Sequence, residues 1–260
     1  CAALGGKPRK QMNCIAFVSP CCLIDYSSGA AIATNNCLEL LARSGFRCHA
    51  FCAAQLDFNE EVCFEESLAE LGLPYQVSNA AVGAYPVRLV FTRAGSVPVT
   101  VFRNLLTRLG PTPAEIPAFL AAYHRFLAAN GLSVVLTYGG GPLGDMLIDG
   151  AKQRGIAVVF GLHNFSYHDA GAFRHVDYVI VPSEFSRQWY LDRLGLDCHV
   201  LPNAMDFARI TAQERSPKYL TFVNPHMVKG LYVFARIAEQ LARRRPDIPI
   251  LVVEGRGRGK

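Results

Sequence analysis

Between residues 156 and 206 three short apolar runs, VVFGL, YVIV and CHVL, each stop abruptly at polar residues: His163-Asn164, Ser183-Glu184 and Asn203 to Asp206. The runs are too short and too β-branched to prefer helix. Continuous apolar strands with polar tips mark a parallel sheet buried on both faces, with its chemistry at the carboxyl ends of the strands. The rest of the chain must then supply further strands to that sheet, or a partner facing its edge.

Taken in order, NCIAFVS (13–19) reads as a first strand, and the loop PCCLIDYSSG leads into the helical pattern AAIATNNCLELLARSG. RCHAFCA (47–53) is a second strand, which completes a βαβ unit of the usual right-handed sense. EEVCFEESLAELG predicts a helix, and VRLVFTR with PVTVFR predict a hairpin around Ala94-Gly95-Ser96, inserted on the sheet edge. TPAEIPAFLAAYHRFLAANG predicts a helix with Thr112 as its cap and Gly131 as its stop. VVLTY (134–138), the glycine run Gly139 to Gly141 and a helix from Leu143 to Gln153 follow. SEFSRQWYLDRLG is a further helix, capped by Ser183. Such regular alternation predicts an α/β fold with a doubly wound parallel sheet.

Residues 207–217 are polar and end in proline, and the pattern then restarts with strand YLTFV, loop NPHMVKG, helix LYVFARIAEQLARRR and strand IPILVVE. The expected organisation is a Rossmann-like domain over 1–206, a linker over 207–217, and the first βαβ of a second Rossmann-like domain over 218–260. That remainder is far below the roughly 100 residues of an ordinary domain, and the chain starts with Cys1 rather than Met. Both suggest a fragment lacking most of its C-terminal domain.

Charge narrows the partners. A net charge of +5 from 26 basic and 21 acidic residues leaves no basic stripe of the kind nucleic acid requires. Attraction for small anions, or for an acidic membrane surface, stays open. KPRK before CIAFVSPCCLI imitates an export leader, but Pro20 interrupts the apolar run and a strand is the better reading. Nine cysteines include the adjacent Cys21-Cys22 but no CxxC with a matching second pair, which argues against a metal site. Cys14, Cys48 and Cys52 sit in apolar runs, as reduced cytosolic thiols do.

Five pieces at strand ends, taken in order and spacing, carry a resemblance: SSGAA (27–31), VVFGLHN, VPSEFSRQWY, VLPNAMD and YLTFVNPHMVKG. Together they resemble the retaining nucleotide-sugar glycosyltransferases of family 4, whose GT-B fold has two facing Rossmann-like domains, over most of residues 13 to 254. The resemblance implies transfer of a sugar from a nucleotide-diphosphate donor to an acceptor hydroxyl, with retained configuration and no cofactor or metal. It implies a glycan, lipid-linked or small-molecule acceptor, a setting in polysaccharide biosynthesis, and a cytoplasmic location with peripheral association at the inner membrane face.

Lys229 matches the family's lysine before the glycine that opens a helix, where it binds the donor diphosphate. An ammonium beside a helix N-terminus makes an anion site; the bland alternative is a solvated lysine in a turn. Relatives carry Gly-Arg shortly before this lysine, and the matching positions here are Val223-Asn224. Asn224 or His226 would have to substitute as a neutral or titratable donor. His163, with Asn164 beside it, matches a histidine facing the reacting sugar; the alternative is a histidine satisfying loop backbone. Gly29 matches the glycine-rich loop before the first helix, although relatives often have two glycines there. Gly139 to Gly141 have the same permissive character, and turn geometry accounts for them equally well. Ser183 and Asn203 read as structural, His168 and His175 as structural or exposed, and Glu254 as the end of the last strand. By the resemblance, the family's acidic pair, eight positions apart, would lie beyond Lys260.

Two other classes compete. A dinucleotide-dependent oxidoreductase would need GxGxxG after the first strand, where this chain has PCCLIDYSSGAA. A non-catalytic nucleotide- or sugar-binding module on the same fold would explain the missing Gly-Arg pair.

Overall fold

In a computed structural model that describes residues 14–254 other than 213 and 215, the chain divides into two compact units. One comprises Cys1–Leu56 and Val62–Met205; the other comprises Asp57–Glu61 and Asp206–Lys260.

The first unit begins with β1 (Cys14–Cys21), α1 (Gly29–Arg43) and β2 (Arg47–Gln55), the βαβ start expected from the sequence. Next come α2 (Phe64–Glu70), β3 (Gln76–Val82), β4 (Tyr85–Ala94), β5 (Val97–Phe102) and α3 (Ile116–Asn130). It closes with β6 (Val134–Thr137), α4 (Pro142–Lys152), β7 (Ala157–Gly161), β8 (Tyr178–Val181), α5 (Glu184–Leu194) and β9 (His199–Val200). All nine strands form one sheet in the order β3-β4-β5-β2-β1-β6-β7-β8-β9. Pairing is parallel from β5 across to β9 and antiparallel along β3-β4-β5.

The central strands are apolar throughout because both faces are covered. Phe17, Phe51, Val135 and Val158 are fully or almost fully buried. Helix α3 directs Phe119, Tyr123 and Phe126 at Phe51, with ring centroids 5.3 to 5.9 Å apart. The phenol of Tyr123 would be costly to bury alone, and it donates to the carbonyl of Leu147 in α4 at 2.7 Å. Asp177 closes the opposite edge by accepting from the Val158 amide at 2.7 Å and from Lys152 at 2.6 Å.

Three expectations change. The edge insertion is a three-stranded meander rather than a hairpin, because β3 (QVSNAAV), whose residues are exposed or half-buried, lacks the apolar signal of a strand. Thr112 does not cap α3; its hydroxyl and amide both donate to the Glu115 carboxylate, which ties the turn before the helix. Helix α2 starts at Phe64, later than its charged prefix suggests, since the Thr107 hydroxyl takes both the amide and the carbonyl of Val62. Ser183 does cap α5, accepting from the Ser186 amide at 3.2 Å, and Gly131 ends α3 in the left-handed region.

The second unit holds α6 (Phe207–Ile210), β10 (Leu220–Val223), α7 (Leu231–Arg244) and β11 (Ile250–Val253). The two strands pair in parallel, and Phe222 stacks on Phe234 of α7 at 4.4 Å between centroids. Among the described residues no helix is long and apolar enough to cross a membrane.

Candidate functional site

The first unit carries a cavity of about 230 Å³ at the carboxyl edge of its sheet. The tips of β6, β7 and β8 and the segment after β9 form one side, and Ala33, Thr34, Cys37 and Leu40 of α1 form the other. Most of the lining is apolar, with Thr34, Thr137, His163 and Asn203 supplying polar groups, the composition that suits a ligand with one apolar face. Asn36 of α1 donates to the Ala204 carbonyl at 3.1 Å and so ties the two sides together.

His163 stands two residues past the end of β7. Its ring meets the edge of Tyr138 at 5.5 Å and 88°. Burial pushes its pKa below the ordinary imidazole value, so the ring is neutral near pH 7. Among the described residues its ring nitrogens make no hydrogen bond, which leaves one donor and one acceptor for a ligand in the cavity.

Asn164 does not line this cavity. Its carboxamide accepts from the Ser166 amide at 3.0 Å in a local turn, and its carbonyl accepts from the Tyr190 hydroxyl at 2.6 Å. Gly29 is the first residue of α1, and a Cβ there would meet nothing within 4 Å. The turn before it is built by the buried Asp25, whose carboxylate accepts from the Ser27 amide at 2.9 Å and the Ser27 hydroxyl at 2.6 Å. Gly139 and Gly141 have φ of +90° and +96°, so turn geometry by itself requires glycine at both.

A feature with no sequence signal follows β5. Asn104, 1% exposed, accepts from the Ala54 amide at 2.7 Å and donates to the carbonyls of Leu106 and Leu109 at 2.6 and 2.9 Å. Thr107 is fully buried beside it. The polar side chains therefore point inward, while Leu105 and Leu109 are 72% and 59% exposed. Pinned in this inverted sense, the loop presents the two leucines to solvent.

The second unit carries a pocket of about 270 Å³ lined by Asn59, Asn224, Pro225, His226, Val228, Lys229 and Glu254. It brings together three of the residues singled out in the sequence: Asn224, His226 and Lys229. The Asn224 amide donates to the Val253 carbonyl at 2.8 Å, and its φ of 55° is a left-handed conformation that asparagine tolerates better than most side chains. His226 caps the short 3-10 turn Met227–Lys229, its Nδ1 accepting from the Val228 amide at 3.4 Å. That contact uses Nδ1 as the acceptor and leaves Nε2 as the ring's donor. Gly230, at φ +86°, then turns the chain into α7, so Lys229 stands at the mouth of a 14-residue helix. Nothing in the local sequence marks Asn59 as a site residue, and Glu254 reads there only as a strand end. His163 and Lys229 belong to different units.

The sequence model of Glycosyltransferase Family 4 matches residues 27–209. No curated protein matches the chain in sequence. Among solved structures, the pneumococcal O-GlcNAc transferase GtfA, in complex with UDP and GlcNAc, is similar at 10% identity and a TM-score of 0.53, over 93% of this chain and 71% of that one. S. aureus MnaA, solved with UDP, is similar at 10% identity and 0.51, over 94% of this chain and 62% of its own. A UDP-N-acetylglucosamine 2-epimerase is similar at 11% and 0.51, over 93% and 63%. The chain thus spans less than two thirds of the length of the latter two. At these identities the likeness is one of fold, a GT-B-type α/β architecture with Rossmann-like sheets.

Proposed function

The chain belongs to Glycosyltransferase Family 4, and from that premise we propose that it moves a sugar from a nucleotide-diphosphate donor to an acceptor hydroxyl with retained configuration. The observation that carries this reading is the convergence of Lys229, His226 and Asn224 on one pocket at the mouth of α7. When the bond between the anomeric carbon and the donor's phosphate oxygen breaks, its electron pair stays on the diphosphate. The sugar passes through an oxocarbenium-like state. The acceptor oxygen forms the new bond on the same face, and its proton goes to the departing phosphate. Stabilising the growing negative charge is then the main catalytic demand. Lys229 supplies a full charge, His226 Nε2–H and the Asn224 carboxamide supply hydrogen bonds, and the helix mouth adds oriented amides. His163, whose ring has no hydrogen-bond partner among the described residues, orients a sugar hydroxyl in the cavity of the first unit.

For the acceptor, the exposed Leu105 and Leu109 support a lipid-linked molecule or a membrane surface over a free sugar. The direct test is calorimetric titration with UDP and GDP, followed by an assay for nucleotide release from the corresponding sugar donors. Lys229→Ala should weaken nucleotide binding by tenfold or more, about 1.4 kcal/mol. Unchanged binding would remove Lys229 from the site.

A second reading, a non-catalytic nucleotide- or sugar-binding module, is favoured by Asn224 standing where relatives carry a cation. Tight nucleotide binding with no nucleotide release from any donor would select it.

A further inference from the structure

The pocket at Lys229 contains a carboxylate. Glu254 lines it together with Asn59, and among the described residues neither Lys229 nor Glu254 takes part in an ion pair. Among the described residues of the lining, one ammonium and one carboxylate offset each other, with two carboxamides and an imidazole as further hydrogen-bonding groups. A site meant for phosphate alone gathers cations, because a carboxylate and a phosphate are both acceptors at neutral pH and repel each other. A hydroxyl, in contrast, donates to a carboxylate through a short charge-assisted bond, and a carboxamide can both donate to it and accept from it.

We propose that Glu254 and Asn59 hold a hydroxyl-bearing part of the donor, its ribose or its transferred sugar, and make the pocket select nucleotide-linked sugar over bare pyrophosphate. This rests on the reading that Lys229 meets the donor's phosphates. Asn59 adds a wall from a stretch of chain remote in sequence, so the selective contacts come from 57–61 and from the end of β11, while the charge comes from the loop before α7.

The experiment is isothermal titration of the full 260-residue chain with inorganic pyrophosphate, with UDP and GDP, and with UDP-glucose, UDP-N-acetylglucosamine and GDP-mannose. Wild-type protein should bind the best nucleotide sugar at least tenfold tighter than pyrophosphate, the worth of about one charge-assisted hydrogen bond. Glu254→Gln should lower that ratio about tenfold, with pyrophosphate binding tighter as the repulsion goes. Asn59→Ala should weaken the hydroxyl-bearing ligands and leave pyrophosphate unchanged. A change already visible between UDP or GDP and pyrophosphate assigns the contact to ribose; a change confined to the sugar-bearing donors assigns it to the transferred sugar. Ratios unmoved by both substitutions would overturn the inference even where Lys229→Ala weakens every ligand, which leaves the phosphate reading intact. Lys229→Ala without effect on any ligand would instead overturn the phosphate reading, and this one with it. Both Asn59 and Glu254 are exposed, so an unchanged melting temperature separates these effects from loss of fold.

Discussion

The imidazole of His163 folds back over Gly161, its Nε2 3.0 Å from the point where a Cβ on that glycine would stand. The two residues leave β7 together, and the missing side chain is what lets the ring lie against the strand tip. Gly161→Ala must push the ring by a few tenths of an ångström. The expected result is a modest loss of stability, about 1 kcal/mol, with a displaced His163 resonance in NMR spectra. An unshifted resonance would show that the ring adapts without leaving its place.

Burial holds His163 neutral, and the sign of its contribution to stability follows. Its folded pKa lies below the unfolded value of 6.5, so the unfolded chain binds the proton more readily. Stability contributed in this way is present above the unfolded pKa and is lost as pH falls through 6.5 toward the folded value. His49 and His124 are depressed in the same direction, first by burial and then by neighbouring arginines. Denaturant titrations should show stability falling between pH 7.5 and 5, with a shallower slope in His163→Gln; equal slopes would mean that His163 titrates normally.

Tyr138 buries a hydroxyl that finds no hydrogen-bond partner among the described residues. Burial, first, and the nearby Cys21, Cys22, Cys52 and Asp25 push the phenol pKa well above its usual value. Removing an unsatisfied buried group of this kind is neutral or stabilising by up to about 1 kcal/mol. Tyr138→Phe should therefore melt at the same temperature as wild type or slightly higher. A clear drop would reveal a partner for the hydroxyl.

Asn104 and the leucines it displays should behave in opposite ways. Asn104→Ala strands the Ala54 amide and frees two loop carbonyls, a loss of about 2–3 kcal/mol. Exchanging Leu105 and Leu109 for serine removes exposed surface and should leave stability within about 0.5 kcal/mol. The same double variant should lose co-sedimentation with lipid vesicles if the loop meets an apolar acceptor or a membrane; retention equal to wild type would end that part of the functional proposal.

Close packing of the glycine turn offers a check on the fold alone. A Cβ on Gly144 would sit 2.8 Å from the Gly139 carbonyl oxygen, a backbone atom that cannot swing aside. Gly144→Ala should destabilise the first unit by about 1–3 kcal/mol, read as a lower denaturation midpoint.

What the sequence by itself determined is whatever depends on neighbours along the chain. The parallel strands were legible because short unbroken apolar runs such as VVF and YVIV favour strand over helix, and α5 was legible because its cap, Ser183, lies beside it. The Lys229 helix mouth was visible for the same reason, since Asn224, His226, Lys229 and Gly230 all lie within residues 224–230 and their turn is local. Tertiary structure decided what depends on residues distant in the chain. Strand β3 pairs only because β4 offers an edge, Thr107 rather than a helix satisfies Val62, and Asn104 turns its loop inside out through an amide of β2. The cavity at His163 needs α1 and four strand ends at once, and Asn59 reaches the Lys229 pocket from far upstream. Periodicity and capping record short-range hydrogen bonding and burial, whereas a pocket wall is set by contacts between segments whose spacing along the chain is arbitrary.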